Sequence, residues 1–263
     1  MREPLHLWPT ALDLAWADPK ENLRRIGSAI KARLRHCAVP PEQTLFVLPE
    51  LTLTGFVTKD PKPASPEPVC ELARRLKTGI AVGYPETNPA DPKKPFNTFS
   101  LVGTDGRIAA SYRKMHLFTA GKNSEASSYS AGESGVLCDY RGWKTGFAVC
   151  FDIRFPALFR AYAKAGADLI LVSACWIGGP HKSYQYKTVN SGHAILAQAY
   201  VAAVNRSGRD PFYEYDGAEY VFSPYGENVH VKGPVTLDPA ELDAYRKLIV
   251  RPWDGDRKEY GVT

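Results

Sequence analysis

Short apolar runs alternate with amphipathic segments along most of the chain. The clearest amphipathic segment follows a capping signal, in which Asp18 can cap, Pro19 takes the first helical position and Glu21 lies three residues after the cap. The apolar positions between residues 23 and 34 then recur at helical spacing and share one face. This segment is predicted to be the first helix.

Several apolar runs are too short for helices and are predicted to be buried strands. They are residues 44–49, 79–85, 143–150, 168–174 and 200–205. Two further runs, 96–103 and 107–114, flank an Asp105-Gly106 pair, which indicates a hairpin. A second hairpin is expected around Pro224-Tyr225-Gly226. Further helices are expected over 67–77, from Pro156, up to about Gln198, and from Asp238-Pro239.

The mixture of strands and helices predicts a layered α/β structure, and we expect one domain over residues 1–263. A doubly wound sheet would suit the same order of elements, but the hairpins argue against it. The chain shows no internal repeat, and its Pro-rich stretches, residues 60–68 and 86–95, are expected to be surface loops.

Composition and charge exclude several classes of protein. The net charge of +5 comes from scattered basic residues, so we expect no nucleic-acid partner. No run approaches the roughly 18–20 apolar residues that span a bilayer, and the N-terminus lacks the pattern of a signal peptide. Five cysteines without a C-x-x-C pair argue against a disulfide framework and a zinc site. A reducing cytoplasm is therefore the expected compartment.

Three residues that could take part in catalysis each follow an apolar strand. Glu50 ends the run TLFVLPE, Lys114 ends IAASYRK, and Cys150 ends GFAVC. Ligands of α/β sheets bind beyond the carboxyl ends of the strands, and a charge at such a place needs a partner. Glu50 and Lys114 are therefore expected to pair, with Cys150 beside them. Taken singly, each residue would also suit an ordinary loop or core position.

The motifs around these residues make the interpretation specific. The runs LPELTLTGF, YRKMHLF and FAVCFDIRFP resemble, in order and spacing, the three motifs of the nitrilase superfamily. Glu125, seven residues before Gly132, resembles the family's second glutamate segment. AILAQAYVAAVNRSG resembles the segment after the nucleophile. RGWK and AYRKLIVRPWDGD resemble the bacterial omega-amidases that act on 2-oxoglutaramate.

The resemblance implies a four-layer α-β-β-α sandwich and a Glu-Lys-Cys triad. Cys150 would be the nucleophile, Glu50 the general base, Lys114 the oxyanion partner, and Glu125 a supporting glutamate bonded to Lys114. This assignment suits the chemistry, because a thiol that is mostly protonated at neutral pH needs a base or a cation nearby. The backbone N–H of Phe151 is a candidate second oxyanion donor.

Two residues are candidates for substrate binding. Arg154, four residues after Cys150, can bind a carboxylate through two parallel hydrogen bonds, although an ion pair with Asp152 or a helix end is an alternative. Trp176 matches the family's aromatic pocket wall, but could equally be core. His116 is expected to orient the loop around Lys114, and His181 is a weak substrate candidate.

The sequence departs from the family pattern in one helix. His193 and Leu196 stand where the family often has Arg and Glu, which suggests an ion pair replaced by apolar packing. The segment WIGGPHKSYQYK is also expected to be a longer loop than in the omega-amidases. These differences bear on the substrate and leave the four catalytic positions untouched.

The sequence thus predicts hydrolysis of a small amide through a Cys thioester, with 2-oxoglutaramate as the first substrate hypothesis. Within the superfamily, N-carbamoyl amino acid hydrolysis is the next alternative and nitrile hydrolysis a weaker one. Two alternative functions of other classes remain open. One is a catalytically silent protein with the same fold, and the other is a redox sensor that pairs Cys150 with Cys175. No metal or other cofactor is implied, and the resemblance implies a homodimer or larger homo-oligomer.

Overall fold

The computed structural model describes residues 2–119 and 124–249, and its elements follow the predicted order closely. The helices are α1 (Pro19–Arg35), α2 (Glu67–Leu76), α3 (Pro156–Lys164), α4 (Lys182–Ala197) and α5 (Pro239–Leu248). Short 3₁₀ helices span Pro41–Gln43, Glu125–Ser127 and Cys150–Arg154.

The strands, in chain order, are β1 (His6–Pro9), β2 (Thr44–Val47), β3 (Gly79–Glu86), β4 (Phe96–Val102), β5 (Ile108–Arg113), β6 (Leu137–Tyr140), β7 (Trp143–Val149), β8 (Leu169–Ala174), β9 (Tyr200–Asn205), β10 (Ser207–Arg209), β11 (Glu214–Asp216), β12 (Glu219–Phe222) and β13 (Val235–Thr236).

The strands form two large sheets and one small hairpin. The first sheet has the order β13-β1-β2-β3-β4-β5, in which β1, β2 and β3 are parallel and the others antiparallel. The second sheet has the order β12-β9-β8-β7-β6, with β7, β8 and β9 parallel. β10 and β11 pair with each other. Two sheets of this kind exclude the doubly wound alternative.

The two sheets pack face to face, and helices cover their outer faces. Phe99 of β4 and Phe147 of β7 meet edge to face in the core between the sheets, with ring centroids 6.0 Å apart. On the far side of the first sheet, Ile26 of α1 packs with Phe46. On the far side of the second sheet, α3 contributes Phe159 to the core. The expected four-layer α-β-β-α sandwich is confirmed.

Helix starts agree with the capping residues in the sequence. The Asp18 side chain accepts a hydrogen bond from the backbone N–H of Glu21, and Pro19 opens α1. The Asp238 side chain likewise accepts from the N–H of Ala240 at the start of α5. Each carboxylate satisfies one of the N–H groups that a helix leaves without an internal partner.

Three sequence-based expectations need correction. The turn around Pro224-Tyr225-Gly226 forms, but only an isolated bridge between Phe222 and Asn228 follows it, not a second strand. The segment 176–187 was expected to be a loop, but only its first half is one, because α4 begins at Lys182. Leu196 is 63% exposed, so it does not replace an ion pair by packing.

His193, the other departure in this helix, does pack as expected. Its ring is buried and stacks on Phe159 with centroids 3.5 Å apart. The His193 Nε2 donates to the carbonyl of Ile153 at 2.8 Å, which ties α4 to the turn after β7. Burial lowers the pKa of His193, since the charged ring would lose its hydration.

Among the residues that the structure describes, none of the helices has the length and apolar character to cross a membrane. The later part of AYRKLIVRPWDGD, from residue 250 onward, lies outside the described residues. All five cysteines are free thiols, as their number and spacing predict.

The contact between Phe99 and Phe147 predicts a large effect on stability. Phe147→Ala removes a fully buried ring between the sheets, and we expect it to lower the free energy of unfolding by about 3–5 kcal/mol. Ile108→Ala, at a position 40% exposed, serves as the control and should change it by about 0.5 kcal/mol or less. Denaturant titration measures both, and equal effects would refute this account of the core.

Candidate active site

The two sheets bring the three predicted strand ends to one place. Glu50 lies three residues beyond β2, Lys114 directly follows β5, and Cys150 directly follows β7. Glu50 and Lys114 therefore come from the first sheet and Cys150 from the second. Ser173 of β8 joins the sheets near this point, because its hydroxyl donates to the carbonyl of Leu48 at 3.0 Å.

Lys114 is buried between two carboxylates. Its Nζ donates to Glu50 Oε1 at 2.8 Å and to Glu125 Oε2 at 2.7 Å. All three side chains are at most 1% exposed. The expected bond between Glu125 and Lys114 is thus present, and so is the expected pair with Glu50. A charge buried this deeply is tolerated only when it is paired and hydrogen-bonded.

The two carboxylates keep Lys114 charged. Burial alone would lower the pKa of Lys114, but the charges of Glu125 and Glu50 outweigh it, and this pKa lies well above its ordinary value. The side chain is consequently a fixed cation. Such a cation, next to a nucleophile, can stabilise negative charge on a reacting oxygen.

Asn97 of β4 completes this cluster, and the sequence interpretation missed it. Its Nδ2 donates to Glu50 Oε1 at 2.8 Å and to Glu125 Oε1 at 2.7 Å, so one amide links both carboxylates. The carbonyl of Asn97 also accepts from the N–H of Lys114 at 2.8 Å. The available signal was an asparagine within a predicted strand, because a buried amide must find hydrogen-bond partners.

Glu50 has a further partner on the second sheet. Its Oε2 accepts a hydrogen bond from the backbone N–H of Cys175 at 2.7 Å, and its carbonyl accepts from the Cys175 thiol at 3.2 Å. Glu50 is thus held from both sheets. These contacts fix the orientation of its carboxylate, whose charge acts on Cys150.

Cys150 occupies a turn with unusual backbone geometry. It starts the 3₁₀ helix that follows β7 and has a φ of +46°, a conformation that is costly for a residue with a Cβ. The Asp152 side chain stabilises the turn, since its Oδ2 accepts from the N–H of Val149 at 2.9 Å. Cys150 as a whole is half-buried, and it lines a cavity.

Asp152 also ties this turn to the segment that carries Lys114. Its Oδ2 accepts from the hydroxyl of Tyr112 at 2.7 Å, and its Oδ1 accepts from the backbone N–H of His116 at 3.0 Å. The His116 ring lies 2.8 Å from the same Oδ1 and stacks on Phe155. His116 thus orients the Lys114 loop, as expected, but through Asp152, which the sequence interpretation named only as a possible partner of Arg154.

The surroundings of Cys150 favour the protonated form of its thiol. Burial, followed by the charge of Glu50, raises its pKa, and the opposing effect of Lys114 is smaller, so the pKa stays well above its ordinary value. A protonated thiol is a weak nucleophile. A nucleophilic role for Cys150 would therefore need a base, and Glu50 is a carboxylate whose charge acts on this thiol.

The cavity over Cys150 is small, about 60 Å³, and mostly apolar. Phe56, Phe118 and Phe151 form part of its wall, and Trp176 forms another part. Phe151, the candidate oxyanion residue, directly follows Cys150 in the same 3₁₀ helix. An apolar wall with a few polar groups is typical of sites for small molecules.

Arg154 and Trp176 both line this cavity. Arg154 donates to Gln185 Oε1 at 2.7 Å and stacks over the Trp176 ring at 5.0 Å, and no ion pair to Asp152 is present. Asn205 at the end of β9 holds the Trp176 backbone, accepting from its N–H at 2.7 Å and donating to its carbonyl at 3.0 Å. Asn205 was also missed, although a polar residue ending a buried strand is a usable signal.

Two glycines permit close approach of the loops that carry these residues. A Cβ on Gly83 would lie 2.5 Å from the backbone nitrogen of Leu51, and one on Gly132 would lie 2.2 Å from the carbonyl oxygen of Arg113. Neither position can accept a side chain without moving the backbone beside Glu50 or Lys114.

The remaining candidates lie in different surroundings. Cys175 lines the cavity beside Glu50, and burial raises its pKa well above the ordinary value. His181 directly precedes α4 and is exposed to solvent. It does not belong to the part of the cavity wall that the structure describes. Burial also raises the pKa of Cys138, to about 11, away from the cavity.

Comparison with known protein families shows to which family this chain belongs. Residues 9–238 match the family described as carbon-nitrogen hydrolase. The chain belongs to the carbon-nitrogen hydrolase family. The resemblance seen in the three motifs is thereby confirmed.

Relatives of this carbon-nitrogen hydrolase include named amidases. It is 32% identical over 218 residues to an omega-amidase of Yersinia enterocolitica, covering 81% of this chain and 79% of the relative. It is 28% identical over 245 residues to the 2-oxoglutaramate amidase of Bacillus subtilis, covering 91% of each chain.

Solved structures support the fold of this carbon-nitrogen hydrolase. A CN-hydrolase superfamily protein of Xanthomonas campestris superposes with a TM-score of 0.85 at 24% identity, covering 98% of this chain and all of that chain. At this identity the similarity establishes the fold alone.

The buried cluster predicts how Lys114 affects stability. Lys114→Met leaves two carboxylates buried without their cation, and we expect a loss of about 3–5 kcal/mol in the free energy of unfolding. Adding Glu50→Gln and Glu125→Gln to this variant should recover at least half of the loss, because the uncompensated charge is gone. Denaturant titration measures each step.

The control is Lys93→Met, at an exposed position, with an expected change of about 0.5 kcal/mol or less. A triple variant no more stable than Lys114→Met would show that lost packing, and not unpaired charge, dominates.

Proposed function

We propose that this chain is an amidase that hydrolyses the C–N bond of a small, carboxylate-bearing amide through a thioester on Cys150. The observation that carries the proposal is the Lys114 ammonium held between Glu50 and Glu125, with Lys114 and the Cys150 thiol lining the same small cavity. A base, a cation and a nucleophile then share one water-poor site.

In the first half of the reaction, Cys150 Sγ attacks the amide carbonyl carbon and its proton passes to Glu50. Lys114, together with the backbone N–H of Phe151, stabilises the oxyanion that forms. Glu50 then gives the proton to the amide nitrogen as the C–N bond breaks. Ammonia leaves, and the acyl group remains bound to sulfur as a thioester.

In the second half, Glu50 accepts a proton from a water molecule, whose oxygen attacks the thioester carbon. The oxyanion forms at the same donors, and the C–S bond breaks. The proton returns to the thiolate sulfur, so that the acid product leaves and the thiol is regenerated. The site consumes one amide and one water and needs no oxidant or reductant.

Arg154 supports a substrate with a carboxylate. Its guanidinium lies at the cavity, four residues beyond Cys150, and can bind a carboxylate through two hydrogen bonds. The Bacillus subtilis relative is named 2-oxoglutaramate amidase and the Yersinia enterocolitica relative omega-amidase. We therefore propose 2-oxoglutaramate as the first substrate to test.

Two alternatives of other classes have less support. A silent protein has no need to retain a buried ammonium between two carboxylates, since such charges cost stability. A redox sensor needs a low-pKa thiol, whereas burial raises the pKa of both Cys150 and Cys175. Assembly as a homodimer and a cytoplasmic location stay predictions from the sequence.

Release of ammonia tests the proposal. The protein is incubated with 2-oxoglutaramate, 2-oxosuccinamate, glutamine, short aliphatic amides and an N-carbamoyl amino acid. We expect release from the keto-acid amides and a loss of about 10³-fold or more in Cys150→Ala, because nucleophile and base act as a unit. Glu50→Gln should lose activity to a similar extent.

Cys138→Ala is the matched control, since this thiol lies away from the cavity and its loss should leave the rate unchanged. Cys175→Ala should reduce the rate far less than Cys150→Ala, because the backbone N–H that holds the Glu50 carboxylate remains and only the bond from the thiol to the Glu50 carbonyl is lost. Release from other amides alone would retain the mechanism and reject the keto-acid substrate. Release that persists in Cys150→Ala would reject the mechanism.

A further inference from the structure

The mouth of the cavity carries a second cation that neither the family motifs nor the proposed chemistry uses. Lys182, the first residue of α4, lines the same cavity as Arg154. Its Nζ lies 5.5 Å from the centroid of the Trp176 ring, and the Arg154 Cζ lies 5.0 Å from that centroid. We call Arg154 and Lys182 the rim cations.

Trp176 fixes the place of Lys182. The indole Nε1 donates to the carbonyl of Lys182 at 2.9 Å, so the backbone of this residue is tied to the cavity wall. The backbone N–H of Lys182 donates to the carbonyl of Gly179 at 3.1 Å. Trp176 itself is held by Asn205, and so the ammonium projects from a supported backbone rather than from a free loop.

The rim cations have no carboxylate partner among the described residues. Arg154 donates to the neutral Gln185, and Lys182 forms neither an ion pair nor a side-chain hydrogen bond within that part of the chain. Lys114, the third cation of the cavity, is already balanced by Glu50 and Glu125. The described part of the cavity wall holds three cations and no carboxylate.

Acidic residues near the rim have other partners. Asp216 accepts hydrogen bonds from the Ser183 hydroxyl and from Asn205 Nδ2. Glu214 forms an ion pair with Arg209. The first turn of α4 contains no acidic residue, so the positive end of the helix dipole adds to the rim charge.

We propose that Lys182 is a specificity-determining residue that, together with Arg154, binds the anionic end of the substrate and selects anionic amides over neutral ones. This inference rests on the proposed amidase function. It adds a second cation, on a different element, to the single arginine that the proposed function assigns to the substrate carboxylate. A carboxylate reaching both side chains would neutralise positive charge that the protein itself leaves unbalanced.

The cavity wall makes this interaction effective. Phe118, Ile177 and the Trp176 ring exclude water from one side of the bound anion, which strengthens its attraction to both cations. The small volume of the cavity, about 60 Å³, limits the ligand to a short acid. The selected class is therefore short-chain monoamides of dicarboxylic acids.

Steady-state kinetics test the inference. For succinamate or 2-oxoglutaramate, Lys182→Met should lower kcat/KM by about 10- to 100-fold, mainly through KM, because a charge-assisted hydrogen bond is lost. The loss should shrink as salt is added. For neutral butyramide, kcat/KM should stay within about twofold of the wild type. Lys187→Met, exposed on the same helix, is the matched control.

A direct binding measurement separates this inference from the proposed function. Glutarate carries the carboxylate without a scissile amide, and its Kd can be measured by calorimetry even if no amide is turned over. We expect Lys182→Met to weaken glutarate binding by about 10-fold or more and Lys187→Met to leave it unchanged. Equal affinities in wild type and Lys182→Met, or an equal loss for succinamate and butyramide, would overturn the role of Lys182 while leaving the amidase proposal intact.

Discussion

The buried ammonium of Lys114 is the interaction on which the rest of the site depends. It is one charge between two carboxylates, and Asn97 links those carboxylates by a single amide. Removing any member would leave a buried polar group without its partner, which costs more than the interaction itself contributes. The cluster is therefore rigid, and this rigidity gives the proposed base and oxyanion partner fixed positions before a substrate arrives.

The two-sheet architecture places Cys150, the proposed nucleophile, on the sheet that faces this cluster. Glu50 and Lys114 belong to one sheet and Cys150 to the other, so the site exists only when both sheets pack in register. Asp152 joins the halves, because it binds the turn of Cys150 and both sides of Lys114 at Tyr112 and His116. The geometry of the site therefore depends on the packing of the two sheets in the core.

Sequence reasoning recovers those parts that depend on local pattern. Capping residues predict α1 and α5, apolar runs predict the central strands, and three motifs in order predict the family. The roles of Asn97, Asp152 and Asn205 escaped it, because their partners are distant in sequence and only the packed sheets bring them together. The prediction that Leu196 is packed was wrong, because a weakly amphipathic segment does not indicate which face of α4 is buried. The rim position of Lys182 likewise depends on where Trp176 lies.

The central claim is that Cys150, and no other thiol, carries the acyl group during turnover. Mass spectrometry of acid-quenched protein, digested after mixing with 2-oxoglutaramate or another amide that releases ammonia, measures this directly. The account predicts an added acyl mass on the peptide that contains Cys150 and its absence in Cys150→Ala. An acyl mass on the peptide that contains Cys175, or turnover with no covalent adduct at any time, would contradict the account.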